Sequence, residues 1–126
     1  MNTKLIMTAS AILMGITGII LSFLPHEVLA YLSGSSATAV DALVLQILGA
    51  LYFAFAMTNW TARANLIGGI YGRPIAVGNL THFVIGALAL VKGFSLGEHL
   101  IVQVATGVYV VFAIVFGIII YTHPVK

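Results

Sequence analysis

Four long apolar segments, separated by short polar stretches, make up most of this chain. They lie near residues 4–24, 39–61, 74–93 and 98–122. Each segment is long enough for a helix to cross the hydrocarbon core of a bilayer, which takes about 20 residues. The pattern predicts an all-α membrane protein with a single domain, residues 1–126. In that domain we expect four transmembrane helices in an antiparallel up-down bundle.

Helix-breaking and acidic residues mark the ends of these segments. Pro25 ends the first segment and begins a short interfacial helix, because proline fits the first turn of a helix. Asp41 and Glu98 fall in the first turns of the second and fourth helices, where the helix dipole favours negative charge. The sequence therefore predicts where the helices begin as well as how many there are.

The composition agrees with this hydrophobic pattern. Hydrophobic residues make up 61% of the chain and charged residues only 6%, whereas soluble domains carry about 25% charged residues. The net charge of +2 comes from few groups, and we interpret it as a topology signal rather than a surface for nucleic acid. The 126 residues contain no cysteine, so disulfides and cysteine-built metal sites are excluded within them.

The basic residues predict an orientation. Those at the ends of the predicted helices fall mainly on one side of the membrane: Lys4, Arg63, Arg73 and Lys126. Lys92 alone falls on the other side. Because cytoplasmic loops carry an excess of Lys and Arg, we expect both termini and the connector, residues 62–73, in the cytoplasm. The expected location is the bacterial inner (plasma) membrane.

The two halves of the chain resemble each other. The Gln, Tyr, Phe and Ala residues of Gln46–Ala56 recur in the same order in Gln103–Ala113. The first and third segments share a spacing of mostly small residues, which allows helices to approach closely in lipid. We therefore predict two repeated helical hairpins, about 4–61 and 74–122. Similar composition of glycine-rich membrane helices is the alternative explanation.

Polar side chains that break this symmetry gather around the connector, and they form the candidate ligand-binding site: Asn59, Arg63, Arg73, Asn79 and His82. His82 lies about 12 Å into the third helix, where an ionisable side chain normally faces the bundle interior and has a partner. The expected partners are Asn59, Asn79 or a backbone carbonyl. The alternative is that His82 is a hydrogen-bonded packing residue.

The connector itself suits an anion. Three glycines, Gly68, Gly69 and Gly72, permit closely spaced backbone amide donors, and Arg63 and Arg73 flank them. Such a segment is expected to hold a phosphate, a carboxylate or a lipid headgroup at the cytoplasmic face. The alternative is that the arginines only anchor the topology and the glycines only form a turn.

The histidines suggest two candidate cofactors, a metal ion and haem. A second polar group on the other face could ligate zinc: His26, Glu27, Glu98 and His99. Helix caps and interfacial positions explain these residues equally well. Bis-histidine haem needs two imidazoles at one depth, and His82 is the only histidine well inside a predicted span. We therefore expect no cofactor.

The predicted activity is binding rather than catalysis. No carboxylate lies within the spans to act as a general base, and no nucleophile is paired with His82 by spacing. We expect a non-enzymatic protein that binds or transports a small amphiphile or lipid headgroup, with membrane lipid as its partner. One alternative is a structural or accessory subunit of a larger membrane complex, which would pack through small residues such as Gly86. Another is a homo-oligomeric channel or carrier.

Overall fold

The computed structural model describes residues 1–34, 37–93 and 99–124, and its regular structure over these ranges is helical. The α-helices are α1 Thr3–Phe23, α2 Pro25–Ser33, α3 Ala39–Ala62, α4 Arg73–Gly93 and α5 Leu100–Thr122. A 3-10 turn, Ile70–Gly72, leads into α4. The prediction of an all-α protein is thereby confirmed.

Four of the helices are long and apolar enough to span a membrane. They are α1, α3, α5 and the continuous stretch Ile70–Gly93, each 21 to 24 residues long. The bounds of α1, α3, α4 and α5 lie within one or two residues of the predicted ones where the chain is described. The prediction of four membrane spans is confirmed at this level, and these helices indicate an integral membrane protein. The predicted first-turn position of Glu98 lies outside the described residues.

Local signals set the helix ends as the sequence predicted. The short helix α2 begins with Pro25 in its first turn and ends at Gly34, whose φ of 63° is left-handed. At the start of α3, the Thr38 N–H donates to Asp41 Oδ2 at 3.0 Å, and the Asp41 N–H donates to Thr38 Oγ1 at 3.2 Å. These reciprocal bonds form a capping box, which satisfies backbone donors that the helix cannot use.

The chain divides into two compact units, Leu5–Arg63 and Ala64–Lys126 together with Met1–Lys4. In the unit Leu5–Arg63, α1 and α3 pack through small residues. A Cβ added at Gly18 would lie 2.8 Å from the Phe53 nitrogen, and one at Gly49 would lie 2.8 Å from the Gly18 carbonyl oxygen. The backbones of α1 and α3 are therefore in direct contact, which only glycine permits at these positions.

In the other unit, α4 and α5 pack mainly through aromatic rings. Phe83 of α4 is fully buried and stacks on Phe112 and Phe116 of α5, with ring centroids 4.8 and 5.8 Å apart. Tyr109 meets the same Phe83 ring edge-on at 5.1 Å. Phe83 is therefore the centre of the α4–α5 contact.

Candidate functional site

His82 is paired with Tyr109 inside the α4–α5 pair. The His82 Nε2 and the Tyr109 hydroxyl oxygen lie 3.0 Å apart, a hydrogen-bonding distance, and the two ring centroids lie 5.4 Å apart. Tyr109 is 7% exposed and His82 is half-buried. His82 was expected to face a partner. That partner is Tyr109, which the sequence pattern did not indicate.

Gly86 makes this pairing possible. It lies one turn beyond His82 on α4, and the Tyr109 ring occupies the space of a Cβ at Gly86, with the ring Cδ1 2.7 Å from that position. A side chain at Gly86 would therefore displace the phenol. The Tyr109 ring of its own unit therefore lies against Gly86, and packing of an accessory subunit through Gly86 stays a prediction.

Asn79 lies one turn before His82 and is 1% exposed. Its Nδ2 donates to the carbonyl oxygen of Ile75 at 2.9 Å, which is a bond to its own helix. Such a bond satisfies an amide inside an apolar segment at little structural cost. Asn79 and His82 therefore lie close together on α4, as the sequence predicted, with the described bond of Asn79 directed to the backbone.

The Asn59 side chain contacts residues of α1. Its side chain is fully buried, and its Nδ2 donates to the hydroxyl oxygen of Ser10 at 3.0 Å and lies 3.8 Å from the Met14 sulfur. Ser10 donates in turn to the carbonyl oxygen of Met7 at 2.9 Å. Asn59 thus belongs to a polar chain that links α3 to α1. A buried serine on α1 was the signal that the sequence reasoning missed.

Arg63 is bound at the end of its own helix. Its guanidinium lies 3.9 Å from the Trp60 ring centroid, and its Nη1 donates to the Trp60 carbonyl oxygen. A cation over an indole face is an attractive contact, and Trp and Arg are frequent at membrane boundaries. The described contacts of Arg63 therefore match an interfacial anchor.

Arg73 differs from Arg63, because its guanidinium has no such neighbour among the described residues. The side chain is exposed, and it makes no hydrogen bond or ion pair with the part of the chain that the structure describes. Arg73 begins α4, nine residues before His82. Helical geometry places the two about 13 Å apart along the axis and on opposite sides of α4. The predicted site thus contains a cation at the start of α4, Arg73, and a separate polar pair deeper in the helix, His82 and Tyr109.

Two of the three connector glycines, Gly69 and Gly72, use their amides for the turn of the connector itself. The Gly69 N–H donates to the Leu66 carbonyl oxygen at 3.0 Å, and the Gly72 N–H donates to the Gly69 carbonyl oxygen at 3.1 Å. A Cβ at Gly72 would lie 2.7 Å from the Leu66 carbonyl oxygen, so glycine is needed there for close packing. These two amides are therefore occupied within the connector and are not directed at a ligand.

The metal alternative is tested only in part. Among the residues that the structure describes, no group of three or more His, Asp or Glu side chains is placed to hold a metal ion. Glu98, one of the four predicted ligands, lies outside those residues. The zinc site built from His26, Glu27, Glu98 and His99 therefore stays a prediction.

The fold defines a class, a helical membrane protein with four candidate spans. Comparisons with models of protein families, with curated proteins and with solved structures found no match. The function is therefore argued from the geometry of this chain alone.

The His82–Tyr109 pair gives a direct prediction. A Tyr109→Phe variant is expected to lose about 1 kcal/mol of stability, since hydrogen bonds between membrane helices contribute on that order. Thermal unfolding in detergent would measure the loss. The NMR chemical shifts of the His82 ring nitrogens should also change, because the variant lacks the phenol hydroxyl that forms the hydrogen bond. Tyr121→Phe is the matched control, since Tyr121 is 86% exposed at the end of α5. Equal melting temperatures for both variants would contradict the pairing.

Proposed function

We propose that this chain lies in the bacterial inner membrane with both termini in the cytoplasm, and that its helices cross in alternating directions as an up-down bundle. The distribution of basic residues supports this orientation, because Arg63 and Arg73 flank one connector. Trp60 supports a membrane boundary at the end of α3, since an exposed indole with a cation over its face is typical of either boundary.

The two compact units support the proposal of repeated hairpins. Each unit holds two of the four long helices: α1 with α3, and α4 with α5. In each unit the equivalent glycine of the earlier helix lies against the later helix, Gly15 against Ala56 of α3 and Gly86 against Tyr109 of α5. The recurrence of the Gln, Tyr, Phe and Ala residues in α3 and α5 also supports a repeat. A parallel duplication accounts for these three observations together.

The activity that the geometry supports best is binding of an anionic amphiphile, such as a lipid with a phosphate headgroup, at the start of α4. The observation that carries this proposal is the exposed Arg73 guanidinium, which has no partner in the described part of the chain. A guanidinium binds phosphate through paired, charge-assisted hydrogen bonds, and the first turn of a helix favours an anion. The acyl chains would lie along the apolar surface of α4.

Binding is favoured over transport within this proposal. A ligand held at Arg73 would have to move about 13 Å inward and to the other side of α4 to reach His82. Asn79, His82 and Tyr109 would then form a separate polar set that stabilises the α4–α5 pair. Asn59 and Arg63 stay predicted ligand contacts, and their described bonds lie within the unit Leu5–Arg63. The proposed protein is non-enzymatic.

Native mass spectrometry of protein extracted with its lipids would test this proposal. The wild-type protein is expected to retain an anionic lipid in preference to a zwitterionic one. An Arg73→Ala variant is expected to bind that lipid about tenfold more weakly, since charge-assisted hydrogen bonds contribute roughly 1.5–3 kcal/mol.

Lys92→Ala is the matched control for charge. It removes a cation from the last turn of the same helix and should leave the lipid adduct in place. An Arg73→Lys variant should bind less tightly than wild type, because lysine lacks the paired donors of a guanidinium. If Arg73→Ala and Lys92→Ala weaken lipid retention equally, the effect is one of net charge and the Arg73 site is disproved.

A further inference from the structure

The connector leaves three of its four large apolar side chains exposed. Leu66 is 58% exposed, Ile70 is 85% exposed and Tyr71 is 99% exposed, whereas Ile67 is only 1% exposed. Exposed apolar side chains gathered on one short segment mark a surface that contacts something other than water. We call Leu66, Ile70 and Tyr71 the connector surface.

The other side of the connector packs closely within its own unit. A Cβ at Gly68 would lie 2.6 Å from the nitrogen of Pro124, and one at Gly72 would lie 2.7 Å from the Ile67 Cα. At both positions only glycine lets the backbone come so close to its neighbour. The side chains of the connector surface therefore cannot turn inward without breaking this packing.

The connector lies level with the ends of two membrane spans. The helix α4 has 21 residues and is about 32 Å long, which matches a hydrocarbon core about 30 Å thick. The 3-10 turn Ile70–Gly72 extends the apolar candidate span Ile70–Gly93 outward from that helix. Gly68 packs against Pro124, just beyond the end of α5. The connector surface therefore falls in the interfacial layer, which is about 5–8 Å thick on each side of the core.

We propose that the connector surface inserts into the interfacial layer of the lipid bilayer, so that the connector anchors the start of α4 to the membrane. The bilayer is the partner because the connector surface continues directly into an apolar membrane span. Tyrosine is enriched in this layer, since its ring contacts acyl chains while its hydroxyl reaches water and headgroups. Leu66 and Ile70 add apolar area, as in helices that lie on membrane surfaces.

The charge next to the connector surface suits the same partner. The exposed Arg73 follows Tyr71 by two residues, and a basic side chain at this depth is attracted to the phosphates of anionic lipids. The anchor itself rests on the candidate membrane spans and the exposed apolar side chains, not on selective lipid binding by Arg73. It applies to either orientation of the chain, because both boundaries of a bilayer have an interfacial layer.

Fluorescence of a dye attached to single cysteines would test this proposal, because the chain has no native cysteine. Ile70→Cys and Tyr71→Cys variants of the full chain would carry an environment-sensitive dye in vesicles of phosphatidylcholine and phosphatidylglycerol. We expect blue-shifted emission and strong quenching by lipids that carry a nitroxide just below the headgroup. Iodide, present on both sides of the membrane, should quench these dyes only weakly.

Asn65→Cys is the matched control, since Asn65 is an exposed polar residue of the same connector. Its dye should be quenched mainly by iodide. Val77→Cys is the reference for contact with lipid, because Val77 is 44% exposed one turn into α4. Iodide quenching at Tyr71 as strong as that at Asn65 would overturn the proposal. Protection of the Tyr71 dye from both quenchers would also overturn it, because protein would then cover the connector surface.

Removal of two side chains of the connector surface gives a second measurement. A double variant, Ile70→Ser with Tyr71→Ser, should melt like wild type in detergent, since neither side chain is buried. In vesicles, a dye at Leu66→Cys should lose most of its quenching by lipid when these two substitutions are present. Unchanged quenching of that dye would mean that Ile70 and Tyr71 do not anchor the connector.

The outcomes separate this anchor from the lipid site proposed at Arg73. Dyes in contact with lipid, together with equal lipid retention by wild type and Arg73→Ala, would disprove the Arg73 site alone. Dyes in water, together with selective loss of lipid in Arg73→Ala, would disprove the anchor alone.

Discussion

A Gly49→Val variant is expected to unfold at a markedly lower temperature than the wild-type protein, with a loss of about 3 kcal/mol in unfolding free energy. Any Cβ at Gly49 would lie 2.8 Å from both the Gly18 carbonyl oxygen and the Ser22 nitrogen, and would also meet the Ser22 hydroxyl. Two of these neighbours are backbone atoms, which cannot move aside by changing a rotamer. The α1 and α3 helices would have to separate along their contact.

Fluorescence of Trp60 during heating in detergent would measure this loss, since it is the only tryptophan of the chain and lies near the end of α3. Gly107→Val is the matched control, because a Cβ at Gly107 would meet no heavy atom within 4 Å. That variant should melt within a few degrees of wild type, as expected for a surface substitution. Similar losses for both variants would mean that valine in a helix, rather than the α1–α3 contact, causes the effect.

The helices were predictable from the sequence because their signals are local. An apolar run of about 20 residues has few stable arrangements other than a membrane-spanning helix. Pro25 and Asp41 fix helix ends through the backbone geometry and hydrogen bonds of their own first turns. Such features depend on residues three or four positions apart, so a single sequence contains all the information that they need.

The partners of the polar side chains were not predictable in the same way. The pairing of His82 with Tyr109 and of Asn59 with Ser10 depends on how one helix is rotated and shifted against another. That register is set by close contacts such as the Tyr109 ring on Gly86, which no single-helix periodicity reveals. Grouping residues by polarity predicts Asn59 at a ligand site, which stays a prediction, but it does not predict the described bonds that link α3 to α1.

The separation of Arg73 from His82 was, by contrast, already present in the sequence. Nine helical residues correspond to 900°, which places the two on opposite sides of any regular helix. Both are polar and both lie near the connector, so polarity alone groups them. Arg73 forms no bond with the described residues, whereas His82 is paired, so the two side chains have different roles in the structure. This difference is why the proposed lipid site rests on Arg73.

A Phe83→Ala variant is expected to lose about 3 kcal/mol of stability, since removing a buried aromatic ring costs roughly 3–5 kcal/mol in protein cores. Phe83 has no exposed surface, and its ring contacts those of Tyr109, Phe112 and Phe116. In lipid the hydrophobic effect contributes little to helix association, so the loss reflects packing alone and should fall at the lower end of that range.

Phe23→Ala provides the matched control for the loss of a phenyl ring. Phe23 is 79% exposed at the end of α1, so its replacement opens no cavity. Thermal unfolding of both variants in the same detergent should give a clearly lower melting temperature for Phe83→Ala alone. The NMR chemical shifts of the His82 ring nitrogens should also change in that variant, because Phe83 packs edge-on against both His82 and Tyr109. If Phe83→Ala melts like Phe23→Ala, the aromatic cluster does not hold α4 and α5 together, and the Gly86–Tyr109 contact must carry that role.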